Sequence, residues 1–141
     1  MASGVAVSDE VKAAWNDIKL GKKVRYYLLK LSDDLKEIIV EQKEADKSKG
    51  FDDFASMLKA NFINNCRYAF FDLNFKNSEG IEKDKLVFFC WAPDSAKIKE
   101  KMLYASSKDA LKKELSGVQV EYQATGPDEL EVGDILAKCD R

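Results

Sequence analysis

The sequence "LVFFCWAPDSAKIKEKMLYASSKDALKK", residues 86–113, joins the most hydrophobic run of the chain to its most basic one. The run "LVFFCW" is typical of a buried strand, because its apolar side chains occupy both faces of the extended chain. A proline follows it, and helical sequence then extends over residues 94–115. Six lysines and three acids fall within residues 94–113, whereas residues 114–141 carry seven acids and two basic residues. This polarised distribution predicts a surface that attracts a charged partner.

The rest of the 141 residues surrounds this stretch with alternating helices and strands. The predicted order is helix, strand, strand, helix, strand, strand, helix, strand, helix. The strands cover 24–31, 36–43, 66–75, 85–91 and 118–124. The first helix has Ser8 as its N-terminal cap, ends at Gly21, and buries Val11, Ala14, Trp15 and Ile18. The second runs from Phe51 to Phe62 and the third from Asp94 to Leu115. The last helix buries Val132, Ile135, Leu136 and Cys139. Serines at 106 and 107 favour a break in the third helix, since serine competes for backbone hydrogen bonds.

Two of the strands, 66–75 and 85–91, have apolar side chains on both faces, which is typical of central strands covered by helices. The sequence therefore predicts an α/β fold of the α+β type, with one central mixed sheet sandwiched between helices. No linker or repeat divides the chain, so we expect a single domain over residues 1–141, with residues 1–7 as a flexible tail.

Composition excludes several function classes. The chain has no histidine, no glycine-rich phosphate loop and no cluster of metal ligands, so we expect no cofactor, no metal and no catalytic site. The net charge of −2 argues against nucleic acid as a partner, and no segment has the length of a membrane span or the pattern of a signal peptide. We expect an intracellular monomer. A thiol-dependent enzyme using Cys66 or Cys90 is an alternative that buried thiols would argue against.

The basic helix has two interpretations. Lys97, Lys101, Lys108 and Lys112 would lie within about 60° of one another on an unbroken helix. Ile98, Met102 and Ala105 form a neighbouring apolar stripe. Periodicity alone favours a solvated lysine face beside a core stripe. A binding surface is the other interpretation.

A resemblance supports the second interpretation. The stretch "WAPDSAKIKEKMLYASSKDALKK" is similar to the signature of the actin-depolymerising factor (ADF)/cofilin family, and "MASGVAVSDE", "CRYAFFD" and "GVQVEYQAT" resemble its other segments. The resemblance implies a single ADF-homology domain that is not an enzyme. It implies a protein of the cytoplasmic actin cytoskeleton that binds actin monomers (G-actin) and filaments (F-actin), prefers the ADP form, and severs and depolymerises filaments. A relative that binds actin without severing, as coactosin-like proteins do, is the alternative.

The resemblance also implies site residues. The actin-binding residues are Ser3, Gly4, Val5, Lys99, Lys101 and Met102, although Met102 also suits core packing. Ser3 matches a regulatory phosphorylation site for a kinase and a phosphatase, although it could equally be an ordinary tail serine. The filament-binding residues are Lys83 and Lys85, in a loop before the central strand, with Lys138 and Arg141. Phosphoinositide headgroups would bind Lys99, Lys101, Lys108, Lys112 and Lys113.

The sequence departs from the family pattern in three respects. Ala137 stands where some members have an acid and the chain ends at Arg141, so we expect filament binding to be weaker than monomer binding. Only Lys22, Lys23 and Arg25 stand where vertebrate members carry a nuclear-localisation stretch, which argues against nuclear import. No histidine is present near the C-terminus, so we expect a shallow pH response between about pH 6.5 and 8.

Overall fold

A computed structural model shows a six-stranded mixed sheet between helices, and it describes residues 5–21, 24–46, 50–76, 78–115, 117–118, 120–130 and 135. The strands lie in the order β1-β3-β2-β4-β5-β6. Their bounds are β1 Ala6–Val7, β2 Tyr26–Leu31, β3 Glu37–Glu44, β4 Arg67–Lys76, β5 Glu82–Trp91 and β6 Val120–Ala124; the helices are α1 Asp9–Asn16, α2 Phe51–Asn61 and α3 Ile98–Lys113. The predicted fold class is confirmed.

The two central strands, β4 and β5, carry a core on each face of the sheet. Neighbouring residues of a strand point to opposite faces, so Phe70 and Phe88 pack on the side of α1 and α3, whereas Phe71 and Phe89 pack on the side of α2. All four rings are completely buried. The prediction from their unbroken apolar runs, that helices cover both faces, is confirmed.

The predicted hairpin is present as antiparallel β2 and β3, with a bulge between Leu28 and Leu29. In its turn, Asp34 Oδ1 accepts hydrogen bonds from the Ser32 hydroxyl at 2.5 Å and from the Lys36 N–H at 3.1 Å. Leu35, the next residue after Asp34, has a φ of +61°, in the left-handed region that residues with a Cβ seldom adopt. The hairpin thus ends in a tight turn that presents a leucine.

Residues 5–7 are ordered, although a flexible tail was predicted over residues 1–7; residues 1–4 lie outside the described residues. Ala6 and Val7 form β1, which pairs in parallel with β3 at the edge of the sheet, and Val5 is buried in the core. A two-residue strand is too short to show periodicity, so the sequence could not reveal it. Helix α1 begins as predicted, with the Val11 N–H donating to Ser8 Oγ at 3.2 Å, but its last turn, Asp17–Gly21, is a π-helix.

Two other predicted bounds and one predicted break were wrong. Helix α3 begins at Ile98 rather than Asp94, and it runs unbroken through Ser106 and Ser107. The Ser106 hydroxyl donates to the Leu103 carbonyl at 3.1 Å and Ser107 is fully buried, so neither hydroxyl disrupts the helix. Strand β5 begins at Glu82, three residues before its predicted start at residue 85, because it pairs with β4 along its whole length.

The C-terminal region is described only in part. A short 3₁₀ turn, Pro127–Glu129, follows β6 and was not predicted. Ile135 is helical and buried, as expected of the last helix, and the other residues of that helix's predicted stripe lie outside the described residues. Across the described ranges, no helix is long and apolar enough to cross a membrane.

Candidate protein-binding surface

Helix α3 is held on the sheet by a buried network of hydroxyl groups. The Tyr104 hydroxyl accepts a hydrogen bond from the Leu31 N–H of β2 at 3.0 Å, and the Tyr68 hydroxyl donates to the Tyr104 carbonyl. Tyr104, Ser107 and Leu111 are buried and have the i, i+3, i+7 spacing of one helix face. This face therefore fixes the rotation of α3 about its axis.

The opposite side of α3 exposes two large apolar side chains. Ile98 is 72% exposed and Met102 is 67% exposed, and they are four residues apart, so they lie next to each other. Ala105, which continues the stripe, is also exposed. The interpretation of this stripe as core was wrong, because the Tyr104 face occupies the core instead. An exposed apolar pair on a rigidly held helix is typical of a surface that binds another protein.

Two lysines flank this apolar pair. Lys99 is exposed, and Lys101 is half-buried with its Nζ donating to the Asp94 carbonyl at 3.3 Å. Neither lies within ion-pair distance of a carboxylate among the residues that the structure describes. Both can therefore pair with acidic groups of a partner without first breaking an internal ion pair.

The lysines in the second half of α3 are arranged differently. Lys108 and Lys112 both pair with Glu121 of β6, at 3.1 and 2.8 Å. Burial raises the pKa of the Glu121 carboxyl, but hydrogen bonds from the two lysines outweigh it, so this pKa lies below its ordinary value. The predicted continuous four-lysine face is therefore divided, because Lys108 and Lys112 are both paired with Glu121, which offsets one of their two positive charges. Lys113 is exposed.

The other predicted site residues fall in three places. Val5 belongs to the core, so its side chain is not at the surface. Lys83 and Lys85 lie within β5 and not in a loop, on one face of the strand, with Lys83 exposed and Lys85 half-buried. Ser3, Gly4, Lys138 and Arg141 lie outside the described residues.

Comparison with known proteins decides the family. The sequence matches the profile of the family described as "Cofilin/tropomyosin-type actin-binding protein" over residues 4–140. The chain is a member of the ADF/cofilin family. It is 43% identical over 138 residues to Actin-depolymerizing factor 9 of Oryza sativa subsp. japonica, covering 98% of this chain and 96% of that protein.

Solved ADF/cofilin structures have the same fold. Cofilin from Streptomyces griseoflavus superposes with a TM-score of 0.84 at 38% identity, over 98% of both chains. Actin depolymerization factor 2 from Plasmodium berghei superposes with a TM-score of 0.86 at 31% identity, over the whole of both chains. The expected ADF/cofilin resemblance is confirmed along the full length of the sequence.

The two cysteines in the described part of this ADF/cofilin protein, Cys66 and Cys90, do not have the environment of a nucleophile. Cys66 and Cys90 are buried in the core beside α3. Burial, with a smaller contribution from the Glu100 carboxylate, raises the pKa of Cys66 to about 12. Burial raises the pKa of Cys90 to about 11. Both thiols are therefore protonated at neutral pH, which argues against the alternative of a thiol-dependent enzyme.

Sequence reasoning missed two features of the surface. Periodicity favoured a place in the core for the stripe that contains Ile98, and it did not reveal that Glu121 pairs with both Lys108 and Lys112. The pairing joins residues of α3 and β6, so no local pattern reports it. The alternation of "VQVEYQA" does place Glu121 on the other face of its strand from Val120 and Tyr122, and this was the one signal in the sequence that Glu121 faces away from their side of the sheet.

Proposed function

We propose that this protein binds actin monomers and filaments, with a preference for the ADP form, and promotes filament severing and depolymerisation in the cytoplasm. The observation that carries the proposal is the exposed Ile98–Met102 pair, flanked by Lys99 and Lys101, on a helix that the Tyr104 network holds rigidly. Such a helix fits into an apolar groove of a partner, where a few anchors provide most of the binding energy.

The lysines give this helix a preference for an acidic partner. Lys99 and Lys101 would form charge-assisted hydrogen bonds with carboxylates at the edge of that groove and accelerate association. Membership of the family, together with relatives named as actin-depolymerising factors, supports actin as the partner.

A second contact would be required for filaments. Lys83 and Lys85 project from one face of β5, and in this proposal they bind a neighbouring actin subunit together with Lys138 and Arg141. Ser3 and Gly4, in the tail ahead of β1, would contact the same subunit as α3.

Two kinds of regulation are part of the proposal. Phosphorylation of Ser3 by a kinase would add about −1.5 to −2 charges next to an acidic partner and weaken binding until a phosphatase removes it. Phosphoinositide headgroups would compete for Lys99, Lys101 and Lys113, and less for Lys108 and Lys112, which are already paired with Glu121.

The test compares Lys99→Ala/Lys101→Ala with wild type in filament co-sedimentation and in titration of actin monomers. We expect affinity to fall about ten-fold or more, since two charge-assisted contacts are lost. Lys59→Ala is the control, because Lys59 is an exposed lysine of α2 on the other side of the sheet. Unchanged binding by the folded double variant would refute the assigned site.

Filament microscopy then separates the activities. Shortening of single filaments after the protein is added would support severing. Decoration without shortening would instead favour the coactosin-like alternative, in which the domain binds actin without cutting filaments.

A further inference from the structure

A groove of about 430 Å³ lies between the β2–β3 turn and the first turns of α3. Leu31, Leu103 and Tyr104 line it with apolar surface, and Leu35 contributes from the turn. A volume of this size accepts one or two side chains of a partner, in the range of ordinary ligand pockets.

The rim of this groove is basic. Lys30, Lys97, Lys99 and Arg67 line it, against Asp33 and Glu100. Arg67 is already paired with Glu41 at 2.7 Å, and Glu100 already accepts the Cys66 N–H at 3.1 Å.

The three lysines of the rim differ from Arg67. None of them lies within ion-pair distance of a carboxylate in the described part of the chain. An apolar floor with three unpaired ammonium groups around it is complementary to a segment that carries both a carboxylate and an apolar side chain.

The backbone conformation of Leu35 indicates the same site independently. Its φ of +61° is unfavourable for most residues that carry a Cβ, whereas glycine, which has none, and asparagine, whose short polar side chain can bond locally, adopt that conformation more readily. Its side chain remains 50% exposed, so core packing does not account for a leucine at this position. Strained backbone positions cluster at ligand-binding and switch sites, so the tip of this turn is a candidate contact.

We propose that this groove binds an acidic segment of the actin partner, with one apolar side chain of that segment seated between Leu35 and Leu103. The inference rests on the proposed function and extends it, because Lys99 belongs both to the groove and to the exposed face of α3. The interface on α3 therefore continues onto the tip of the β2–β3 hairpin.

Leu35→Asn tests the apolar contact. Asparagine tolerates the left-handed conformation, so we expect an unchanged or higher melting temperature, while the affinity for actin monomers falls about five-fold. If Leu35→Asn does not fold, Leu35→Gly replaces it, because glycine also relieves the strain.

Lys30→Gln tests the charge, with Lys59→Gln on the opposite side of the sheet as the matched control. We expect Lys30→Gln alone to weaken monomer binding, about three-fold, and to reduce its dependence on salt. Unchanged affinity in the Leu35 and Lys30 variants, with weakened binding by Lys99→Ala/Lys101→Ala, would overturn the groove and leave the proposed function intact. Unchanged affinity in all three variants would refute both the groove and the α3 site, whereas a wild-type protein that does not bind actin would overturn the proposed function.

Discussion

Truncation of the exposed apolar pair on α3, Ile98→Ala/Met102→Ala, should separate binding from stability. Both side chains are mostly solvated in the free protein, at 72% and 67% exposure, so removing them leaves no cavity. Alanine also has the highest helix propensity. We therefore expect the free energy of unfolding to change by no more than about 0.5 kcal/mol.

The expected loss of affinity follows from the same exposures. Burying a whole side chain of this size stabilises a complex by about 1.5–3 kcal/mol. About two-thirds of each side chain remains to be buried in the complex, and alanine retains the Cβ. Each truncation should therefore weaken the free energy of binding by about 1 kcal/mol. Together they should cost about 2 kcal/mol, which is roughly a thirty-fold increase in Kd for actin monomers.

The assay is a fluorescence titration of actin monomers together with urea unfolding of each variant. Leu111→Ala is the matched control, because Leu111 lies on the same helix but is fully buried. It should lose about 2–5 kcal/mol of stability. A double variant that binds as tightly as wild type would refute the assignment of this face, and one that unfolds like Leu111→Ala would show that the stripe belongs to the core.

Four further outcomes follow from the structure. Tyr104→Phe leaves a buried N–H of β2 without its acceptor, so thermal unfolding should show a loss of about 2 kcal/mol, or about 7 °C in Tm. Tyr26→Phe, whose hydroxyl has no hydrogen-bond partner among the described residues, should change stability by less than about 0.5 kcal/mol. The fold lowers the pKa of the Glu121 carboxyl below its ordinary value of 4.5. The ionised carboxylate therefore stabilises the fold fully above pH 4.5, and this stabilisation is lost as the pH falls below 4.5. Urea unfolding from about pH 6 to about pH 3 should show a weaker pH dependence for Glu121→Gln than for wild type. Cys66 and Cys90 should react slowly with a thiol reagent at about pH 7 in the native protein and rapidly in urea, because burial raises their pKa to about 12 and about 11.

Each of these outcomes has a contrary result. Equal losses for the two tyrosine variants would mean that the hydroxyl bond of α3 contributes nothing. An unaltered pH profile for Glu121→Gln would remove the ion pairs with α3 from the acid response. Rapid labelling of either native cysteine would restore the alternative of a reactive thiol.

The absence of histidine leads to one prediction about the pH dependence of actin depolymerisation. Depolymerisation of actin by this protein should vary little between about pH 6.5 and 8, because the chain has no histidine and burial raises the pKa of Cys66 and Cys90 above that range. A steep change across this range, measured with actin alone as the control, would contradict it.

Local sequence determined most of the fold. The helical spacing of Val11, Ala14 and Trp15 and the capping position of Ser8 specified α1 without reference to the rest of the molecule. The apolar runs of β4 and β5 specified central strands, since only a sheet covered on both faces buries such runs. The basic signature after Trp91 was specific enough to identify the family.

Tertiary structure decided which face of α3 meets solvent. The stripe of Ile98, Met102 and Ala105 and the stripe of Tyr104, Ser107 and Leu111 both have helical spacing, so periodicity cannot distinguish the buried one. The hydrogen bond from the Leu31 N–H to the Tyr104 hydroxyl selects the second stripe for the core. Glu121, on another element, then pairs with two of the four lysines and offsets one of their positive charges. Sequence by itself thus placed the charge and the helix, whereas contacts between distant segments determined which side chains a partner can reach.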